Sequence, residues 1–220
     1  MNPALAVKIL IISASVMFII RQASVLMKKK FIRLTTTPMI TYFICGMAVV
    51  GVFNYSQGNE WLILAALGLS LIADAVLMTE SSDLFTHGLI FFLGTHILYN
   101  IVFATGYTFI ITDILSGVLL IALMIFLIYK FHKSGNLGKM LLPVIIYVTA
   151  LSLIVFFSVN GYIRNHDIPH ALMMCGAILF YISDAILGWN QFIKYFKFGT
   201  FYIWLFYAPG QFLIALSLFY

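Results

Sequence analysis

The chain has 220 residues, 63% hydrophobic and 9% charged, with formal net charge +5 and mean hydropathy +1.08. A soluble domain carries about 25% charged residues, and no water-soluble core of this length hides so much apolar surface, so the solvent is lipid. A soluble enzyme is excluded, and the positive balance reads as loops touching anionic head groups rather than as a nucleic-acid surface.

The apolar runs are about 17–23 residues long, the length of spanning helices rather than barrel strands, and barrel-type alternation is absent. The expected fold is an all-α integral membrane protein, a bundle of eight transmembrane helices forming a single polytopic domain over residues 1–220.

The first helix is expected over 4–23. Basic residues follow it instead of preceding it and no small-x-small site comes after, so it reads as a retained helix, not a cleaved leader. Lys8 can snorkel to the interface. The basic loop of Arg21, Lys28, Lys29, Lys30 and Arg33 leads to a second helix, which Pro38 opens where its missing N–H costs nothing. A loop over 54–60 precedes the third helix, anchored by Trp61, which carries Asp74 and ends near Met78. After the acidic loop 80–83, the fourth helix (84–105) holds His87, His96, Tyr99 and Asn100. The fifth is expected over 110–129, followed by the basic loop 130–139 and a sixth helix over 140–158 with Pro143 in its first turn. The loop 160–169 contains Arg164, His166 and Asp167, the seventh helix (170–189) carries Asp184, and Lys194 and Lys197 precede an eighth helix (200–219) containing Pro209 and Gln211. Cys45 and Cys175 sit inside apolar runs and read as small packing residues, not a disulfide.

The loops after the first, third, fifth and seventh helices hold ten of the twelve Lys and Arg. This bias places those loops in the cytoplasm and both termini outside. Asp74 and Asp184 then lie at matching depth, about 6–8 Å below the cytoplasmic boundary. The two acids are 110 residues apart, and Ala75/Ala185, Leu77/Leu187, Leu69/Leu179 and Ile72/Ile182 match around them, as a parallel four-plus-four internal repeat would produce.

An ionisable group in a spanning segment is costly, and its default reading is functional. Each aspartate can instead bond a neighbouring helix and fix packing. As a pair sharing one pocket, they suit acid/base chemistry, one protonated and the other ionised. His96 and Asn100 share a face of the fourth helix, as Tyr207 and Gln211 do on the eighth, where Pro209 frees a backbone carbonyl. These groups either line the same cavity or join helices. His166 and His170 have a metal-like spacing, but it spans a loop and lies on the outer side, so no metal site is assigned. No G-x-S-x-G, P-loop or Cys-x-x-Cys pattern occurs, and no cofactor is expected.

The runs Leu69-Ser-Leu-Ile-Ala-Asp-Ala-Val-Leu-Met78, Gly88-Leu-Ile-Phe-Phe-Leu-Gly-Thr-His-Ile-Leu-Tyr99, Gly176-Ala-Ile-Leu-Phe-Tyr-Ile-Ser-Asp-Ala-Ile-Leu187 and Tyr207-Ala-Pro-Gly-Gln211 resemble the YhhN-like lysoplasmalogenase family in order and spacing. The family usually has Gly before the first Asp; here Ala73 stands there. The resemblance implies a membrane hydrolase cleaving the vinyl-ether bond of lysoplasmalogens to a fatty aldehyde and a glycerophospho-head group. Asp74 and Asp184 would be the catalytic pair, with His96, Tyr99, Asn100, Tyr207 and Gln211 binding substrate or water. The lipid tail would lie among the helices and the head group near the basic loops. A lysophospholipid is the expected partner, and a bacterial inner membrane or endoplasmic reticulum the expected location. The alternatives are a small proton-coupled transporter, a lipid-binding membrane protein, or a metal-dependent lipid amidase using His166 and His170.

Overall fold

The computed structural model describes residues 2–55, 58–78 and 82–220. Eight α-helices follow in order: α1 (Pro3–Leu26), α2 (Lys30–Tyr55), α3 (Trp61–Leu77), α4 (Ser82–Phe103), α5 (Asp113–Lys133), α6 (Leu141–Asn165), α7 (Ile168–Phe192) and α8 (Gly199–Leu216). Among the described residues there is no strand. Seven of the helices are long and apolar enough to cross a membrane, while α3 is a shorter apolar helix of 17 residues. The all-α bundle of the sequence reading is therefore what the chain forms. The acidic loop 80–83 expected after the third helix lies largely outside the described residues.

Two connections are much tighter than expected. Pro38 does not open the second helix: α2 already begins at Lys30 and Pro38 lies inside it. Lys28, at φ 56, turns the chain, so α1 and α2 are joined by 27–29 alone. The turn before the proline is reinforced from the side chains. Thr35 and Thr36 donate to the Phe31 and Ile32 carbonyls at 3.1 and 2.7 Å, and Thr37 to that of Arg33 at 2.7 Å. The carbonyl that Pro38 frees is that of Leu34, one residue past those three, and the threonines brace the turn that leads to it. The loop expected over 160–169 shrinks likewise. α6 runs to Asn165, His166 takes a left-handed φ of 52, and the Asp167 carboxylate caps α7 by accepting from the His170 N–H at 2.9 Å.

Helices adjacent in sequence pack as pairs, notably α1 with α2, α3 with α4 and α7 with α8. The neighbours of α2 (α1, α3 and α8) correspond to those of α6 (α5, α7 and α4), the relation that exchanging the two halves of a four-plus-four repeat produces. α7 and α8 meet backbone to backbone at Gly176 and Gly210. A Cβ on Gly176 would stand 2.8 Å from the Gly210 carbonyl oxygen, and one on Gly210 would stand 3.0 Å from that of Gly176. Small residues permit such an approach in lipid, where dispersion contacts replace the hydrophobic drive between helices. The approach sets α8 against the acid-bearing half of α7.

Candidate active site

Asp74 on α3 and Asp184 on α7 line one cavity of about 800 Å³, within the size range of ligand pockets. Both are buried, at 5% and 7% exposure. α3 ends one turn past Asp74, whereas α7 runs to Phe192, two turns past Asp184. A short α3 thus stands beside a long α7, and the two acids share a cavity.

Each carboxylate takes its hydrogen bonds on Oδ2. Asp74 Oδ2 accepts from Thr41 Oγ1 at 2.5 Å and from the Tyr207 hydroxyl at 2.9 Å. Asp184 Oδ2 accepts from the Tyr147 hydroxyl at 2.5 Å and meets His96 Nε2 at 3.2 Å. The donors come from α2 and α8 for the first acid and from α6 and α4 for the second, which is again the exchange of halves. Among the described residues no hydrogen bond reaches Oδ1 of either carboxylate. His96 is wholly buried and its Nδ1 is without a partner, so the tautomer carrying its hydrogen on Nε2 fits best. That form donates to Asp184 and leaves Nδ1 as a bare acceptor.

A polar chain stands beside the two acids. The Tyr99 hydroxyl donates to Gln211 Oε1 at 2.6 Å, and Gln211 Nε2 donates to Ser70 Oγ at 2.9 Å. Ser70 and Thr95 share a bond of 3.1 Å, and Thr95 donates to the Ala66 carbonyl at 3.1 Å. The chain ties α8 to α3 and α4 and keeps Tyr207, one turn before Gln211, aimed at Asp74. Phe92 and Phe180 pack edge-on against Tyr207 at centroid distances of 5.7 and 5.5 Å, and Phe180 against His96 at 5.0 Å. Phe92 and Tyr207 line the cavity with the two carboxylates, while Phe180 and His96 are wholly buried behind them.

Of the residues singled out from sequence, Asp74, Asp184 and Tyr207 line the cavity, His96 meets Asp184 from behind it, and Tyr99 and Gln211 are wholly buried in the adjoining polar chain. Asn100 does not join them. Its Nδ2 donates to the His96 and Ala150 carbonyls at 2.9 and 2.8 Å, which fastens α4 to α6. His166 and His170 are remote from this cluster; His170 Nδ1 meets Asp167 at 2.6 Å and its Nε2 meets Asn165 at 3.0 Å, so both ring nitrogens are engaged. Sequence reasoning missed Thr41 and Tyr147, which lack any local mark inside apolar runs. It also took Arg21 for a loop residue, whereas α1 extends to Leu26 and Arg21 is buried on the cavity wall. The Arg-Gln dipeptide inside an otherwise apolar run was the available signal. At the far end of α5, Asp113 pairs with Arg164, which also donates to the Thr108 carbonyl at 2.8 Å. Tyr107 donates to the same carboxylate at 2.7 Å. This clamp holds α5 to α6 away from the cavity.

The sequence profile of the YhhN family matches residues 29–218. The chain is similar to a protein of Rattus norvegicus named lysoplasmalogenase TMEM86B, with 27% identity over 157 residues, covering 71% of this chain and 61% of the rat protein. The match thus spans less than two thirds of that relative's length. No solved structure matches the chain.

Proposed function

The chain belongs to the YhhN family, and from that premise we propose that it hydrolyses the vinyl-ether bond of lysoplasmalogens, releasing a fatty aldehyde and a glycerophospho-head group. The observation that carries the reading is the pair of carboxylates lining one cavity, each held by hydrogen bonds to its Oδ2. The name of the rat relative supports the substrate class.

A vinyl ether is cleaved by protonation at carbon, which needs one acid and one base, and the reading gives the first role to Asp74 and the second to Asp184. Asp74, in its acid form, gives its proton to the alkenyl carbon remote from the ether oxygen. The adjacent carbon becomes an oxocarbenium ion beside Phe92 and the Asp184 carboxylate, both of which line the cavity. Water adds to that carbon and its proton passes to Asp184, where Tyr147 and His96 hold the accepting carboxylate in place. The resulting hemiacetal then collapses. Its hydroxyl proton returns to Asp74, the carbon–oxygen bond to glycerol breaks, and Asp184 delivers a proton to the departing glycerol oxygen. Both groups regain their starting states. Glycosidases meet a similar cation with two carboxyl groups, an analogy of chemistry and not of fold. Tyr99 and Gln211 hold the wall that orients Tyr207. The lipid tail lies among the helices, and the basic rim of the cavity faces the cytoplasm with both termini on the other side.

The test is product analysis in heavy water. Purified protein incubated with a lysoplasmalogen should release aldehyde carrying one deuterium on the carbon next to the carbonyl. In water labelled with heavy oxygen, the label should enter the aldehyde before exchange. Intact lipid at the end of the incubation would refute the reading and favour a transporter or lipid-binding protein.

A further inference from the structure

The chemistry above uses the acids and aromatics of the cavity and leaves a buried cation on its wall unaccounted for. Arg21, near the end of α1, is 1% exposed. Its Nη1 donates to Gln22 Oε1 at 2.6 Å and to the Thr200 carbonyl at 3.0 Å, both neutral. Its Nε is buried without a partner, and its Cζ lies 4.8 Å from the centroid of the Trp204 ring. Among the described residues its hydrogen-bond partners are neutral and Asp74 acts on it only through space, so this guanidinium, taken out of water, is costly unless an anion comes to meet it. Its planar fork and its stacking on an aromatic face suit a phosphate.

The rest of that wall has the same sign. Lys28, Lys30, Arg33 and Lys197 line the cavity with Arg21, and the three lysines are exposed where it meets solvent. The cavity is thus polarised, with carboxylates inside and cations along the rim.

We propose that Arg21 binds the phosphate diester of a lysophospholipid, fixing which end of the lipid enters and how far its ether lies from the phosphate. The identity of the lipid rests on the lysoplasmalogenase reading; the anion site itself requires no cleavage.

The experiment measures binding to the purified full chain with three non-cleavable probes. These are a saturated alkyl-ether lysophosphoethanolamine, the same alkyl glycerol without phosphate, and glycerophosphoethanolamine without a tail. The wild type should bind the phosphate-bearing ether about ten- to hundredfold more tightly than the alkyl glycerol, the worth of charged hydrogen bonds to a desolvated phosphate. Arg21→Gln should lose most of that preference while binding the alkyl glycerol as the wild type does, which also reports that it is folded. Arg21→Lys, which keeps the charge but loses the fork, should lose the preference severalfold. In turnover, Arg21→Gln should raise KM more than it lowers kcat.

Absence of a preference in the wild type, or a full preference in Arg21→Gln or Arg21→Lys, overturns the proposal. So does a tail-less head group that competes as strongly as the lipid, because the site would then serve free phosphate esters. The two readings separate cleanly. A preference for phosphate without aldehyde release from a vinyl-ether lipid sinks the hydrolase and leaves the phosphate site, and release without the preference does the reverse.

Discussion

Replacing Asp184 by Asn separates catalysis from packing at the centre of this site. Asn is isosteric, and its one carbonyl oxygen can still accept from Tyr147 and His96, the two groups that reach Asp184 Oδ2 at 2.5 and 3.2 Å. Two charge-assisted hydrogen bonds become neutral ones, at about half the strength, a loss of roughly 1 kcal/mol each. Removing a buried charge relieves a desolvation cost of opposite sign. The fold should therefore change in stability by no more than about 2 kcal/mol. The amide cannot take a proton from water, and loss of such a group costs about 10²–10⁴ in rate, roughly 2.7–5.4 kcal/mol of barrier. The assay is aldehyde release from purified protein, normalised to the folded fraction by thermal unfolding in detergent. A rate within threefold of wild type for Asp184→Asn, or for Asp74→Asn, would refute its assigned role. A protein that unfolds but keeps its specific rate would show that the acid only packs helices.

Tyr147→Phe and Tyr207→Phe each remove one hydroxyl from a carboxylate; kcat should fall about tenfold in each, the value of one charged hydrogen bond, with the global fold unchanged by circular dichroism. Gly176→Val forces side-chain atoms against the Gly210 carbonyl and should destabilise the protein by about 1–3 kcal/mol, seen as a lower Tm in detergent. Asp113→Asn weakens the hold on Arg164 and should lower Tm and loosen α5 in hydrogen exchange, while kcat per folded molecule stays at the wild-type value.

The lipid environment, the eight helices and the two candidate acids were all legible in the chain itself. Hydropathy acts over about twenty residues and needs no tertiary partner, and a carboxylate inside an apolar run is conspicuous wherever the run ends up. The residues matching around Asp74 and Asp184 pointed to two related halves, and the exchange of donors between α2, α8 and α6, α4 has that form. Only the tertiary structure decided which faces turn inward. In water the buried side of a helix shows itself by periodicity, but in lipid the outer side is apolar too, so that signal fades. Thr41 and Tyr147 were therefore invisible as partners of the acids, and Asn100 could not be told from His96 although the two share a helix face. Helix ends were misjudged for a related reason. Arg21 and Lys30 read as loop because they are charged and Pro38 as a helix start because it lacks an N–H, yet α1 and α2 run through them. Arg21 finds neutral acceptors on Gln22 and Thr200, and three threonines support the turn before Pro38. The threonine bonds and the Gln22 contact are local to their own helices, but the Thr200 carbonyl meets Arg21 only once α1 has packed against α8, and that packing turns a residue read as a loop base into a buried cation facing the cavity.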